Sequence, residues 1–226
     1  MNRPPRAVQD VDAFIFDLDG TLVDSSLDIA NSANLLRQEL GRAALPVELV
    51  VTFVGDGVGS LMQRLLGHDG PEPRPAELAL ARDRFRELYG PRCLEHTRPY
   101  PGVVEGVEAM SDRPLFIATN KPKAFTDLIL EGLQLRRFFT RVVSGDEVPA
   151  QKPAPGHLQA CLEGFHLAPS RIVMVGDHAN DIRAAHALGA RAAGVRYGMS
   201  ELGTAEAEAE WVFDRFEDFV TRFANR

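Results

Sequence analysis

Short apolar runs recur along the chain, and each is followed by polar or turn-forming residues. The first run covers residues 13–16 (AFIF) and is followed by residues 17–21 (DLDGT). Apolar runs of this length are too short for helices and are typical of strands that are buried on both faces of a parallel sheet. The same pattern predicts further strands at residues 115–118, 141–143, 172–175, 192–195 and 211–213.

Segments with helical periodicity separate these strands. They cover residues 102–111, 121–134, 154–166, 179–188 and 214–224. Strands that alternate with helices in this way predict an α/β fold with a doubly wound parallel sheet, that is, a Rossmann-like core.

One long interval, residues 24–95, interrupts this alternation. Apolar residues recur within it at helical spacing, first at Leu27, Ala30, Ala33, Leu36 and Leu40 and then at Leu61, Leu65 and Leu66. Residues 78–90 are also helical in pattern, and the prolines of residues 71–75 predict a loop before them. We therefore expect residues 24–95 to form a helical cap domain, inserted into a core made of residues 1–23 and 96–226.

The composition is that of an ordinary globular protein. Of the 226 residues, 45% are hydrophobic and 25% are charged, and the formal net charge is −7. A chain of this length buries about 70% of its unfolded surface and needs no disulfide or metal in order to fold. The acidic balance argues against a nucleic-acid partner, because nucleic-acid binding needs a basic surface.

Cysteine content and hydropathy predict a cytoplasmic protein. Cys93 and Cys161 are the only cysteines, which argues against a disulfide framework or a cysteine-rich zinc site. Residues 1–10 contain no apolar segment of the kind that a secretory signal requires. No apolar run approaches the length of about 18 residues that spans a bilayer, so we expect no association with a membrane. The oligomeric state is left open.

Lysine is rare in this chain. Only Lys121, Lys123 and Lys152 occur among the 25 basic residues, and all the others are arginine. Codon bias explains the preference for arginine, but a lysine kept against that bias is a candidate for a position that needs a compact charge.

Polar residues follow the predicted strands, where the carboxyl ends of the strands would meet. In an open parallel sheet, ligands bind beyond these ends. The residues at the strand ends are Asp17, Asp19, Thr119, Asn120, Ser144 and Asp177. Asp181 follows Asp177 by one helical turn, and Lys152 lies in the loop after the third core strand. We expect these residues to converge in the folded chain.

Several aspartates in one place require a cation. Asp17, Asp19, Asp177 and Asp181 would together carry a charge of about −4, and clustered carboxylates raise each other's pKa unless positive charge intervenes. Lys152 supplies only one positive charge. A ligand set of oxygen atoms with room for water suits Mg²⁺. The remaining negative charge would be small enough to admit an anionic phosphate group.

The pair Asp17 and Asp19 suits nucleophilic phosphoryl transfer. A carboxylate can attack phosphorus and form an aspartyl phosphate, while a metal ion neutralises the charge that develops. A second carboxyl group two residues further on can protonate the leaving oxygen and then activate the hydrolytic water. Residues 17 and 19 point to the same face of an extended strand, and Gly20 allows the sharp turn that follows.

Four segments resemble, in order, the motifs of the haloacid dehalogenase-like hydrolase superfamily. They are DLDGT at residues 17–21, ATNKP at 118–122, KP at 152–153 and GDHAND at 176–181. The resemblance implies that Asp17 is the nucleophile and a metal ligand. It also implies that Asp19 is the acid/base, whose backbone carbonyl binds the same metal.

The same resemblance implies roles for the remaining motif residues. Thr119 and the amide of Asn120 would bind the phosphate, and Lys152 would stabilise its charge. Asp177 would bind the metal, and Asp181 would either orient the ligands or bind the metal directly.

Within the superfamily, the likeness is greatest to phosphoglycolate phosphatases. It rests on LVDSS at residues 22–26, VGDGVG at 54–59 and the ATNKP segment. In that family the inserted helices form a cap over small substrates, so Gly57 and Arg64 are candidates to contact the far end of the substrate, such as a carboxylate. A turn that starts a helix explains these glycines equally well. His178 departs from the pattern, because relatives commonly have serine there.

The resemblance implies a Mg²⁺-dependent phosphatase that hydrolyses 2-phosphoglycolate to glycolate and phosphate through an aspartyl phosphate. Its partner would be a small anionic phosphorylated metabolite. Alternatives within the superfamily are a phosphosugar phosphatase or mutase and a pyrophosphatase, whereas Asp19 argues against a dehalogenase. A phospho-accepting receiver domain of a signalling protein also combines Asp, Thr, Lys and Mg²⁺, but receivers are shorter and have no cap.

Five further histidines show no metal-ligand spacing. We expect surface or helix-face positions for His68, His96, His157, His166 and His186.

Overall fold

The structure is a computed structural model that describes residues 11–224. Its strands and helices follow one another as β1 (Ala13–Phe16), β2 (Val23–Asp24), α1 (Ser26–Glu39), α2 (Val47–Val51), α3 (Gly57–Gly67), α4 (Pro75–Tyr89), β3 (Arg98–Pro99), α5 (Val103–Ala109), β4 (Leu115–Thr119), α6 (Lys123–Gly132), β5 (Arg141–Ser144), α7 (Gly156–Leu162), β6 (Ile172–Gly176), α8 (Ala179–Leu188), β7 (Arg191–Val195), β8 (Trp211–Phe213) and α9 (Phe216–Ala224).

Six strands form a parallel sheet in the order β5-β4-β1-β6-β7-β8. Within it, Ile15 of β1 pairs with Phe116 of β4 on one side and with Met174 of β6 on the other. The predicted doubly wound α/β fold is confirmed, and all six predicted strands are present to within one residue at either end. Because the chain winds outward from β1 in both directions, a crevice forms at the carboxyl end of that strand, where ligands bind in such sheets.

Different helices cover the two faces of the sheet, because successive side chains of a strand point to opposite faces. Phe14 and Phe16 point towards α9, and their ring centres lie 5.5 and 5.7 Å from that of Phe219. Ile15 belongs to a second apolar cluster that includes Ile182 of α8. Each fully buried side chain of this size contributes about 1.5–3 kcal/mol, so β1 is held firmly on both faces.

Four helices, α1 to α4, lie in the interval where the sequence predicts an inserted cap. The helix predicted at 78–90 begins earlier, at Pro75, which occupies the first turn because its missing N–H has no helical partner there. Helix α2 has no predicted counterpart, since 5 residues are too few for a periodic signal. The division of the chain at residues 23/24 and 95/96 stays a prediction.

An antiparallel pair of very short strands, β2 and β3, joins the two ends of this interval. Val23 pairs with Pro99, and Asp24 pairs with Arg98. The sequence does not predict these strands, because two residues are too few to show alternation.

The carboxylate of Asp28 ties the start of α1 to the segment before β3. This buried side chain accepts hydrogen bonds from the backbone N–H groups of His96 at 3.0 Å and Thr97 at 2.8 Å, and from the Thr97 hydroxyl at 2.8 Å. Burial alone would raise the pKa of Asp28, but these bonds outweigh burial and lower the pKa. A charged group therefore holds the two ends of the helical interval together.

Residues 1–10, where the sequence predicts no secretory signal, lie outside the described residues. Among residues 11–224, none of the helices combines the length and the apolar character needed to cross a membrane. Cys93 and Cys161 are both buried and both carry free thiols.

Candidate active site

A cavity opens at the carboxyl end of the sheet, against the helical interval. Its polar lining comes mostly from the strand ends and includes Asp17, Asp19, Thr119, Asn120, Lys121, Asp177 and His178. Its apolar lining includes Ile29, Leu61, Phe85 and Tyr89 from α1, α3 and α4. A charged site at the sheet therefore faces an apolar wall.

Three buried carboxylates converge at the polar end of this cavity. One oxygen each of Asp17, Asp177 and Asp181 lies within 4.8 Å of the other two. Asp17 and Asp177 directly follow β1 and β6, which are hydrogen-bonded neighbours in the sheet. The topology thus brings together residues that are far apart in the sequence.

Lys152 provides positive charge within this cluster. Its Nζ lies 2.9 Å from Oδ1 of Asp17 and 2.7 Å from Oδ1 of Asp181. Burial alone would lower the pKa of this ammonium group, but the two carboxylates outweigh burial and raise the pKa. Lys152 is therefore charged at neutral pH.

Backbone donors hold the carboxylate of Asp177. One oxygen accepts hydrogen bonds from the backbone N–H groups of Met199 and Ser200, both at 2.9 Å. The other oxygen accepts a hydrogen bond from the Thr21 hydroxyl at 3.2 Å. Burial, followed by the charges of its two carboxylate neighbours, nevertheless raises the pKa of Asp177 to about 8. A bound cation would counter both causes, because it favours the ionised form of a buried carboxylate.

Asp181 stands on the first turn of α8, where its two oxygens have different partners. Oδ1 contacts Lys152, and Oδ2 accepts a hydrogen bond from the backbone N–H of His178 at 3.1 Å. Burial raises the pKa of Asp181 to about 6, although the charge of Lys152 acts in the opposite direction.

Two glycines allow the backbone to approach Asp177 closely. A Cβ atom at Gly20 would lie 2.1 Å from the Asp177 carboxylate, and one at Gly198 would lie 2.4 Å from the Asp177 side chain. Gly20 also has a φ of +82°, a conformation that glycine adopts without strain. The glycine of the DLDGT segment therefore serves both the turn and the packing of the cluster.

Asp19 lines the cavity beside the three-carboxylate cluster, and its carboxylate faces a second lysine. The Nζ of Lys121 lies 3.0 and 2.9 Å from the two carboxylate oxygens, and the Ser25 hydroxyl donates to one of them at 2.6 Å. The metal contact expected from the backbone carbonyl of Asp19 stays a prediction.

Thr119 and Asn120 lie at the end of β4. The Thr119 hydroxyl accepts a hydrogen bond from the backbone N–H of Lys121 at 3.2 Å. The Asn120 side chain donates to the carbonyls of Gly55 at 2.9 Å and Lys152 at 3.0 Å, and it accepts from the Lys152 N–H at 3.0 Å. Hydrogen bonds to Gly55 and Lys152 already occupy this side chain. Asn120 would therefore contact a phosphate group through its backbone amide.

The structure brings only one of the two candidate cap contacts to the cavity. Gly57 lines it, but Arg64 is not among the described residues that do. The Arg64 guanidinium pairs with Asp56 and donates to the carbonyl of Phe53 at 3.0 Å. The loop before α3 thus holds this side chain away from the site that the sequence suggested for it.

His178 connects α8 to that same loop. Its Nδ1 accepts a hydrogen bond from the backbone N–H of Asn180 at 3.1 Å. A Cβ atom on Gly55 would lie 2.7 Å from the His178 ring, and the Asn180 side chain donates to Asp56 at 2.7 Å. Residues 54–57 therefore contact the carboxyl end of the sheet directly.

Several residues of the site have no role that the sequence predicts. The rarity of lysine was a signal for Lys121, but no motif gave that residue a function. Thr21 lies inside the DLDGT segment, but no sequence pattern predicts the hydrogen bond that it donates to Asp177. No sequence signal pointed to Met199 and Ser200, because their contribution is a pair of backbone N–H groups.

Of the surface or helix-face positions predicted for the histidines, His157 takes the second: it lies on α7 and is fully buried. Its Nε2 lies 3.1 Å from the carbonyl of Val143, and its Nδ1 accepts from the backbone N–H of Lys152 at 3.4 Å. Burial and the charge of Lys152 lower the pKa of His157 to about 4. The ring is therefore neutral and carries its proton on Nε2, which donates to Val143.

Comparison with known proteins gives one family match. Residues 14–195 match the family model described as haloacid dehalogenase-like hydrolase. The matched range includes all four motif segments and the helical interval.

Curated relatives and solved structures agree with this match. A phosphoglycolate phosphatase of Thiobacillus denitrificans is 39% identical over 193 residues, which cover 84% of this chain and 85% of the relative. One from Nitrosospira multiformis is 39% identical over 194 residues, covering 84% and 86%. The crystal structure of a predicted phosphoglycolate phosphatase from Haemophilus somnus 129pt has a TM-score of 0.86 at 31% identity, covering 94% of this chain and 97% of that one.

Proposed function

Because this chain belongs to the haloacid dehalogenase-like hydrolase family and is a phosphoric monoester hydrolase, we propose that it uses Mg²⁺ and forms an aspartyl phosphate on Asp17. The observation that carries this proposal is the meeting of Asp17, Asp177 and Asp181 around Lys152. A nucleophilic carboxylate, a lysine and further acidic groups in one buried place suit phosphoryl transfer.

The donor set of the cluster supports a divalent metal ion. Three buried carboxylates are opposed within the cluster by one lysine, and like charges at this distance are stable only with further positive charge. Oxygen ligands of this kind suit Mg²⁺. Asp17, Asp177 and the backbone carbonyl of Asp19 would hold the ion, with Asp181 as a further ligand or as the partner of Lys152. When bound, Mg²⁺ neutralises charge on the phosphoryl oxygens.

Asp17 would attack phosphorus with a carboxylate oxygen while the bond from phosphorus to the ester oxygen breaks. The backbone N–H of Leu18 and the Nζ of Lys152 both contact Oδ1 of Asp17, at 2.7 and 2.9 Å, which favours Oδ2 as the attacking atom. Thr119, the amide of Asn120 and Lys152 would bind the phosphoryl oxygens and stabilise their charge.

Asp19 would move the protons. It would protonate the leaving ester oxygen, and it would then take a proton from the water that attacks the aspartyl phosphate at phosphorus. Hydrolysis releases inorganic phosphate and restores Asp17. Ser25 and Lys121 hold the Asp19 carboxylate in place through the hydrogen bonds described above.

We further propose that the substrate is 2-phosphoglycolate, which would be hydrolysed to glycolate and phosphate. Relatives named phosphoglycolate phosphatase, at 39% identity over most of both chains, support this substrate. The apolar wall of Leu61, Phe85 and Tyr89 supports a small substrate, because it faces the charged site and bounds the space beside it.

Trapping of the covalent intermediate tests the nucleophile. Acid quenching during turnover of phosphate-labelled substrate should leave label on the wild-type protein and none on the Asp17→Asn variant. We expect kcat of this variant to fall by at least about 10³-fold, with the melting temperature almost unchanged because asparagine has nearly the same shape. Label on Asp17→Asn, or near-normal turnover, would contradict the assignment.

A panel of phosphorylated compounds, assayed with Mg²⁺ and with EDTA, tests the substrate and the metal. We expect 2-phosphoglycolate to have the highest kcat/KM and every activity to disappear in EDTA. A sugar phosphate or pyrophosphate ranked first would overturn the substrate but not the mechanism. A phosphosugar converted without release of phosphate would indicate a mutase, and a long-lived phosphoprotein would indicate a receiver.

A further inference from the structure

Besides Lys152, the site contains a second buried lysine, Lys121. The proposed phosphoryl transfer gives Lys121 no direct contact with the substrate. The side chain of Lys121 is only 5% exposed. Among the described residues that line the cavity, Lys121 is the only lysine or arginine. A buried cation is costly unless it has anionic partners, so its place on a cavity wall calls for an explanation.

Lys121 lies between Asp19 and the aromatic wall of the cavity. Its Nζ contacts both Asp19 oxygens and is 4.7 Å from the centre of the Tyr89 ring. Phe85 and Phe125 line the same cavity, and these apolar surroundings strengthen any electrostatic contact made there. An ammonium group has three N–H donors. Among the described residues, the hydrogen bonds of this ammonium group go to the two Asp19 oxygens, so a third donor can point to a ligand.

The position of a substrate relative to Lys121 follows from the proposed function, on which this inference rests. If Asp19 protonates the leaving oxygen, that oxygen lies within about 3 Å of an Asp19 carboxylate oxygen. Lys121 lies 2.9 Å from the same carboxylate. The group attached to the leaving oxygen therefore falls within reach of Lys121. In 2-phosphoglycolate that group is a CH₂ carrying the carboxylate.

We infer that Lys121 is a substrate-binding residue that pairs with the carboxylate of the substrate. It thereby selects short phosphorylated hydroxy acids over phosphomonoesters of the same length whose leaving group carries no charge. A substrate whose leaving group is uncharged gives the remaining N–H of this buried ammonium no anionic partner. A site built around such a contact strongly rejects an analogue that cannot make it.

The Lys121→Met variant tests this inference, because it removes the charge and keeps an unbranched side chain only one atom shorter. The measurement is the ratio of kcat/KM for 2-phosphoglycolate to kcat/KM for 2-hydroxyethyl phosphate, an analogue in which an uncharged hydroxymethyl group replaces the carboxylate. We expect the variant to lower this ratio by at least about tenfold. A change that acts through Asp19 would affect both substrates equally. An unchanged ratio would overturn the inference and leave Lys121 as a positioning residue.

Lys123→Met is the matched control. Lys123 lies two residues further along, its side chain is 51% exposed, and it pairs with Asp127 at 3.2 Å outside the cavity. The substrate ratio of this variant should equal that of the wild type.

Inhibition of the wild-type enzyme keeps the inference testable even if the Lys121→Met variant does not fold. Glycolate should inhibit competitively at a concentration at least about tenfold below that of ethylene glycol, which lacks the carboxylate. Equal inhibition by the two compounds would overturn carboxylate recognition.

The outcomes also separate this inference from the proposed substrate. A wild-type enzyme that does not hydrolyse 2-phosphoglycolate contradicts the proposed substrate. A preference for 2-phosphoglycolate that persists unchanged in Lys121→Met contradicts only the role of Lys121.

Discussion

Asp177 is the side chain whose substitution reports most directly on metal binding. We expect Asp177→Asn to raise the Mg²⁺ concentration for half-maximal activity by at least about tenfold, because a charged ligand is lost. Without metal, the melting temperature should stay the same or rise, since one of three crowded carboxylates becomes neutral. Mg²⁺ titration of activity and thermal unfolding in EDTA measure the two effects. A marked loss of thermal stability in EDTA would show that Asp177 is mainly structural.

His157 makes stability depend on pH in a defined direction. Its pKa is about 4 in the folded protein against an ordinary value of 6.5, so between these values the unfolded chain binds a proton that the folded protein does not. The contribution of His157 to stability is complete above that ordinary value and is lost as the pH falls towards 4. When the pH is lowered from about 7 to about 5, protonation of His157 in the unfolded chain should decrease the free energy of unfolding by about 2 kcal/mol.

The His157→Gln variant isolates this contribution, because glutamine keeps a hydrogen-bond donor and does not titrate. Urea denaturation at several pH values should give a flatter pH dependence for the variant than for the wild type. The same slope in both proteins would contradict the buried neutral state of His157.

Contacts between helices depend on the absence of a side chain at one position. Helix α5 packs on α9 at Gly106, where a Cβ atom would lie 2.4 Å from Val220 and 2.7 Å from Phe216. We expect Gly106→Ala to lower the free energy of unfolding by about 1–3 kcal/mol, because overpacking outweighs the better helix propensity of alanine. Urea denaturation measures this loss.

Gly59→Ala is the control for this prediction. Gly59 lies in α3, and no atom is found within 4 Å of the Cβ position. Alanine should therefore stabilise the protein there by up to about 1 kcal/mol through helix propensity alone. A Gly106→Ala variant as stable as Gly59→Ala would contradict the close packing of α5 on α9.

At the scale of the whole molecule, the loop of residues 54–57 is joined by hydrogen bonds to Asn120 at the end of β4 and to Asn180 of α8. Asn180→Ala removes the hydrogen bond of 2.7 Å to Asp56. The loss of one such bond, about 1 kcal/mol, should increase the hydrogen exchange of the loop amides about fivefold and should raise KM, because Gly57 lines the cavity. Hydrogen exchange followed by mass spectrometry measures the first effect.

Asn34→Ala is the control for this effect. Asn34 exchanges hydrogen bonds of 2.9 and 2.8 Å with Leu45 inside the helical interval, away from that loop. Its substitution should leave loop exchange unchanged. Equal exchange in Asn180→Ala and the wild type would show that the Asp56 contact does not hold the loop.

The order of the amino acids was sufficient to predict the doubly wound sheet, the helical interval and the family of hydrolases. Burial on both faces makes each strand a continuous apolar run, and helical periodicity is equally local, so both are readable from short segments. The sequence also predicts that Asp17, Asp177 and Lys152 lie close together, because residues that follow parallel strands lie at the same edge of the sheet.

Only the folded arrangement shows which loops meet at that edge. The pairing of Lys121 with Asp19, the backbone donors at Asp177 and the burial of His157 all join segments far apart in the chain. Arg64 of α3 likewise pairs with Asp56 in the loop before that helix and does not line the cavity. A charged or polar side chain pairs with whichever group lies within about 3 Å, and no local pattern specifies that neighbour.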